Sequence, residues 1–201
     1  MICLLTRANY ITTPWKNGRG TTTEIMREPL EEGDAFAFGW RVSVANVTED
    51  GPFSAFPGVD RTIVVIEGNG MDLALGPQSL HRLLPFAPFA FDGAADVTGK
   101  LVDGPVRDFN VMVKRGEWRC EVDVLRDVRH FELPLMKTEL LMLHVVDGAW
   151  HARADKLIDF DPVAGDTLCL QYDRGTSYAV DGAGKAIMVR MSRVAAWRAA
   201  V

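Results

Sequence analysis

Two arginines stand where arginine is unusual. Arg61 opens the most apolar run of the chain, Thr62-Ile63-Val64-Val65-Ile66. Arg41 lies in an alternating segment with Phe38, Trp40, Val42 and Val44 on one face and Gly39, Arg41, Ser43 and Ala45 on the other. Small residues plus one arginine read as a pocket floor rather than a solvated face. A guanidinium stays charged, so burying one requires a partner. For Arg61 the internal candidates are Asp60, Glu24 and Asp108; the functional alternative is a ligand carboxylate in a bidentate clamp. Lys16, Asn17 and Asn110 would add donors, and Trp15 or Phe53 a flat apolar wall. Thr22, Glu24 and Ser43 would orient the rest.

Other chemistries lack their residues. His81, His130, His144 and His151 include no His-x-His pair, so neither a metal nor another cofactor is expected. There is no Gly-x-Ser-x-Gly elbow and no Gly-x-x-x-x-Gly-Lys phosphate loop; Asn17-Gly18-Arg19-Gly20 precedes a strand-like run, not a helix. Cys3, Cys120 and Cys169 are scattered and odd in number, which excludes a disulfide framework and fits a reduced cytoplasm. The net charge of -5, without a basic run, argues against nucleic acid. No apolar run nears the ~18 residues of a membrane span.

The elements that would hold these residues are strands. The 201 residues are 48% hydrophobic, enough for one compact domain or two small ones. Residues 1–12 predict an opening strand with Ile2, Leu4 and Tyr10 inward, stopped by Pro14. Thr21 to Ile25, Phe36 to Val47, Met71 to Leu75, His81 to Leu84, Phe89 to Phe91 and Val106 to Lys114 alternate as further strands. Residues 27–35 read as a turn, Asp60-Arg61 as a charged turn, and Val194 to Val201 as one or two helical turns. Short strands cut by Gly, Pro and Asp predict an all-β sandwich or barrel.

The halves also echo one another. Residues 61–75 resemble 139–153, each a buried run, an acid-glycine turn and a short strand; residues 107–115 resemble 185–193. The expected division is 1–115, a first barrel with the pocket, and 116–201, a second and structural one. Arg41, Arg61, Asp108 and Asn110 take inward positions in the first copy. Met142, His144, Val146, Ile187, Val189 and Met191 take comparable places in the second, which should therefore be filled.

Several motifs together resemble the HutD/Ves family. They are Trp15-Lys16-Asn17-Gly18-Arg19-Gly20-Thr21-Thr22-Thr23-Glu24-Ile25, Gly39-Trp40-Arg41-Val42-Ser43-Val44-Ala45, and Gly51-Pro52-Phe53-Ser54-Ala55-Phe56-Pro57-Gly58-Val59-Asp60-Arg61. Glu67-Gly68-Asn69-Gly70-Met71, Phe89-Ala90-Phe91-Asp92-Gly93 and Asp108-Phe109-Asn110-Val111-Met112 follow in the same order. The resemblance implies a bicupin, two small cupin-like (RmlC-like jelly-roll) β-barrels, without the metal-binding histidines of typical cupins. It also implies a bacterial protein that binds an acidic intermediate of histidine degradation, urocanate or N-formylglutamate, and moderates histidine utilisation. Arg61 falls on the family's arginine at the barrel mouth. Arg19 departs from the usual glycine and places a charge beside the pocket.

Three functions compete. The first is ligand-binding regulation. The second is a cofactor-free isomerase or hydrolase acting on a small acid, with Glu24 or Asp108 as general base. The third is a structural or interaction module with its arginines paired internally. Open sheet edges leave room for a homodimer.

Overall fold

A computed structural model describes residues 2–28, 38–76, 79–133, 139–154, 158–171 and 177–194. In chain order the strands are β1 (Ile2–Leu5), β2 (Ile11–Pro14), β3 (Gly20–Glu28), β4 (Trp40–Val47), β5 (Gly51–Pro52), β6 (Val59–Glu67), β7 (Met71–Leu75), β8 (Leu80–Leu83), β9 (Phe89–Asp92), β10 (Val97–Leu101) and β11 (Val106–Lys114). The second half adds β12 (Trp118–Glu132), β13 (Glu139–Ala154), β14 (Ile158–Phe160), β15 (Thr167–Gln171) and β16 (Tyr178–Arg193). Among the described residues the helical structure is one 3-10 turn, Arg7–Asn9. The protein is all-β, because alternating segments rich in Val, Ile, Thr and aromatic residues fit a pleated, half-buried surface.

One six-stranded sheet runs β2-β3-β4-β11-β6-β9. A second runs β1-β15-β13-β16-β12, with β14 added to β13, and a four-stranded sheet runs β5-β10-β7-β8. The two six-stranded sheets share a core of Trp40, Val42, Val44, Phe109 and Val111 against Met142, Ile187, Val189 and Met191. Fully buried Phe109 lies in this core; truncating such a residue to alanine costs about 3–5 kcal/mol. The other face of the first sheet, through Ala45, Ile63 and Val65, packs on Met71, Leu73, Leu83 and Val97 of the four-stranded sheet.

The repeat has a structural counterpart. β6 pairs with β11, and β13 pairs with β16, so in each copy the first strand of the repeat bonds to a later one. Side-chain parity differs from the sequence expectation in the second copy. Met142, Ile187, Val189 and Met191 face the first sheet, while Leu141, Leu143, Val145, Ala186 and Met188 fill the second half's own core. Both faces are apolar there, so alternation alone could not rank them.

Three further expectations change. Asp60 and Arg61 belong to β6 rather than to a turn. Asp147-Gly148 continues β13 rather than turning, just past a bulge between Val145 and Asp147. Gly148 takes φ 84°, and the Asp147 carboxylate accepts the Lys185 backbone N–H at 2.7 Å, which holds the two strands together across the irregularity. Finally, β1 leaves the first sheet and pairs with β15, Cys3 opposite Cys169. Part of the expected 27–35 turn and nearly all of the expected C-terminal helical segment lie outside the described residues.

Candidate functional site

Strand alternation builds the site. On β4 the residues Arg41, Ser43 and Ala45 face one way; on neighbouring β11, Asp108, Asn110 and Met112 face the same way. Arg61 of β6 stands opposite Met112. Thr22 of β3 and the loops Pro14–Asn17 and Pro52–Phe56 close a cavity of about 560 Å³ over them. That is within the usual range for small-molecule sites. The Trp15 ring is fixed by its indole N–H, which donates to Thr22 Oγ1 at 2.8 Å. The loop turns at Gly18, whose φ of 73° suits glycine.

Arg61 is 6% exposed and sits among three phenyl rings, with its guanidinium carbon 4.9 Å from the Phe91 centroid and 5.6 Å from those of Phe53 and Phe56. It donates to the Ser54 carbonyl at 3.3 Å and to Asn110 Oδ1 at 3.0 Å. Its Nε has no partner among the described residues, and it makes no ion pair with them. Burial lowers its pKa to about 10, with Asp108 opposing and Arg41 assisting, so it remains charged at neutral pH.

Asp108 is 1% exposed. The Asn110 amide donates to its Oδ1, while Oδ2 has no partner among the described residues. Burial raises its pKa to about 7, against the opposing pull of the Asn110 hydrogen bond and the Arg61 charge. The site therefore offers a desolvated cation and a carboxyl group that changes protonation near neutrality. Buried polar groups are nearly always hydrogen-bonded. Arg61 and Asp108 both line the cavity, so a ligand carboxylate there would meet the Arg61 charge beside a carboxyl group able to hold a proton.

Of the residues singled out from sequence, Trp15, Lys16, Asn17, Thr22, Arg41, Ser43, Arg61 and Asn110 line this cavity. Glu24 does not. Its carboxylate accepts from Arg41 Nε at 2.7 Å and lies 3.3 Å from Arg27, so it fixes and neutralises Arg41 instead. Arg19 also points away, pairing with Glu49 at 3.4 Å and donating to the Asp50 carbonyl. Asp108, which the sequence offers as a general base, also lines the cavity, on Asn110's strand face. Ser54 and Phe56 were missed because they lie in a non-periodic loop. Among the described residues no group of His, Cys, Asp and Glu could hold a metal ion, and no helix is long and apolar enough to cross a membrane.

The fold and cavity define a small all-β protein with a buried arginine at a ligand-sized site. The HutD family model matches residues 7–188, and the chain belongs to that family. It is 44% identical over 119 residues to an uncharacterised 21.2 kDa protein in the hutC 3' region of Pseudomonas putida; the match spans 59% of this chain and 62% of that one. It resembles the crystal structure of a conserved protein of unknown function from Pseudomonas aeruginosa PAO1, with a TM-score of 0.83 and 30% identity over 96% of this chain and 98% of the other. HutD from Pseudomonas fluorescens SBW25, solved in a formate condition, gives a TM-score of 0.79 and 29% identity over 96% and 100%. Likeness to YlbA and YhhW of Escherichia coli, at 8% and 7% identity with TM-scores of 0.68 and 0.65, shows the fold alone.

Proposed function

We propose that this protein binds a small carboxylic acid of histidine degradation, urocanate or N-formylglutamate, and moderates the pathway without consuming the acid. The observation that carries the reading is Arg61: a buried, charged guanidinium with no ion pair among the described residues, lining a ligand-sized cavity. Keeping such a group unpaired costs several kcal/mol, and a bound carboxylate would offset it. The hutC-region relative and the HutD structure support the metabolic setting. In this reading residues 1–115 and 116–201 are two cupin-type barrels, with β1 crossing over to pair with β15 of the second, and the protein works in the cytoplasm, free or as a homodimer.

The test is calorimetric titration with urocanate, N-formylglutamate, formate and glutamate. One acid should bind the wild type, and Arg61→Met should weaken it on the order of 100-fold, the loss of two charge-assisted hydrogen bonds. At ~100 times its dissociation constant the acid should add about 2.7 kcal/mol of stability. Binding of no acid, or equal binding by a folded Arg61→Met variant, refutes the clamp.

One observation favours a second reading, a cofactor-free isomerase or hydrolase. Asp108 holds a carboxyl near pKa 7 inside the cavity, as a general acid or base would. Conversion of one of these acids, followed by NMR and abolished in Asp108→Asn, would establish it; unchanged acids after prolonged incubation would dismiss it.

A further inference from the structure

The sheet that carries Arg61 has a second cavity on its opposite face, of about 310 Å³. Alternation dictates this. Thr22, Ser43 and Asp108 face the first cavity, so their neighbours Thr23, Val44 and Arg107 face the second half of the chain. There they meet Arg7 of the 3-10 turn and His144 of β13. The wall contains two arginines, a histidine, three threonines and an asparagine, but no carboxylate.

His144 is 3% exposed and forms the floor. Its Nδ1 lies 2.9 Å from Thr167 Oγ1, which is 2.8 Å from the Tyr10 hydroxyl; Tyr10 in turn donates to the Gly165 carbonyl at 2.9 Å. That chain fixes the ring and leaves Nε2 without a protein partner among the described residues. Arg7 and Arg107 stand at the more exposed rim. Arg7 donates to the Ala164 carbonyl at 3.2 Å, and Arg107 pairs at 3.0 Å with the exposed Glu67. An exposed pair of that kind is worth little and yields readily. Each guanidinium keeps further N–H groups to give. Burial, followed by the charges of Arg107 and Arg7, pushes the His144 pKa down to about 3, so the cavity floor lies in a positive field.

We propose that this cavity is a second anion site, separate from the Arg61 site, which takes a small oxyanion between Arg7 and Arg107 with His144 beneath it. Phosphate and carboxylate share the required chemistry. The site rests on residues the first cavity does not use, so it stands or falls independently of the acid-binding reading above.

The experiment follows the His144 ring nitrogens by NMR while inorganic phosphate or malonate is added at constant ionic strength. One of the two should shift the ring saturably, and the tighter one names the oxyanion class. Arg61→Met should titrate within about twofold of wild type. The Arg7→Gln/Arg107→Gln double variant should bind at least about tenfold more weakly. Both arginines are solvent-accessible, so the fold should survive; Thr23→Val provides a second weakened variant should the double variant fail to fold. The proposal is overturned if neither anion moves the ring, if the double variant titrates like wild type, or if Arg61→Met abolishes the response.

Discussion

In the first half, Asp108 and Asn110 stand on β11 and face a cavity of about 560 Å³. In the second half the matching residues of the repeat are Ala186 and Met188 on β16, buried in a core with Leu141, Leu143 and Leu168. The backbone framework is the same, an antiparallel pair β6–β11 or β13–β16. The side chains differ in what they can tolerate around them. Carboxyl, amide and guanidinium groups cannot be packed over with hydrocarbon unless each finds a partner. Ala and Met can, and around Leu168 and Val180 the second half is a buried apolar cluster. A few polar residues thus separate an open cavity from a filled core.

The largest way to break this contrast is to put charge into the filled half. Ala186→Asp would bury a carboxylate among Leu141, Leu143 and Met188, and should cost at least about 4 kcal/mol, seen as aggregation or a collapse of the melting temperature. If the variant melted like wild type, the core around Ala186 would have polar capacity the structure does not show. The converse change, Asp108→Ala with Asn110→Met, copies the second half into the first. Calorimetry should show acid binding lost, and the melting temperature should fall, because buried Arg61 loses its Asn110 acceptor.

A subtler test uses pH. Between the ordinary carboxylate range and about 7, folded Asp108 keeps its proton while the unfolded chain releases it. Its contribution to stability is therefore fully present below pH ~4 and lost as pH rises through about 7. Asp108→Asn lacks this loss. Its melting temperature relative to wild type should climb between pH 5 and pH 8, at about 2–4 °C per kcal/mol. Wild-type affinity for a carboxylate should also fall above pH ~7, where Asp108 ionises beside Arg61, with Arg41 and Lys16 as the other charges lining the cavity; in Asp108→Asn the profile should flatten. The smallest effect belongs to Arg19. Because it pairs with exposed Glu49 and turns from the cavity, Arg19→Gly should change acid affinity by less than about twofold and stability by at most about 1 kcal/mol.

Much of the site was legible in the sequence because strand alternation is a short-range rule. The β4 face of Gly39, Arg41, Ser43 and Ala45, and the β11 face of Asp108 and Asn110, follow from chain order once a strand is assumed. The ordered motifs also carried the family. What the chain order did not contain was the partner of each charge. Glu24 and Arg41 meet only because β3 lies beside β4, and Asp60 reaches Arg115 rather than Arg61 because β6 begins at Val59. The same holds for β1, which crosses to β15, and for the apolar parity of β13 and β16, where both faces are buried and only packing against another sheet decides which is which. Sequence determined which residues share a face. Tertiary structure decided what each face meets, because burial and charge pairing depend on contacts between strands far apart in the chain.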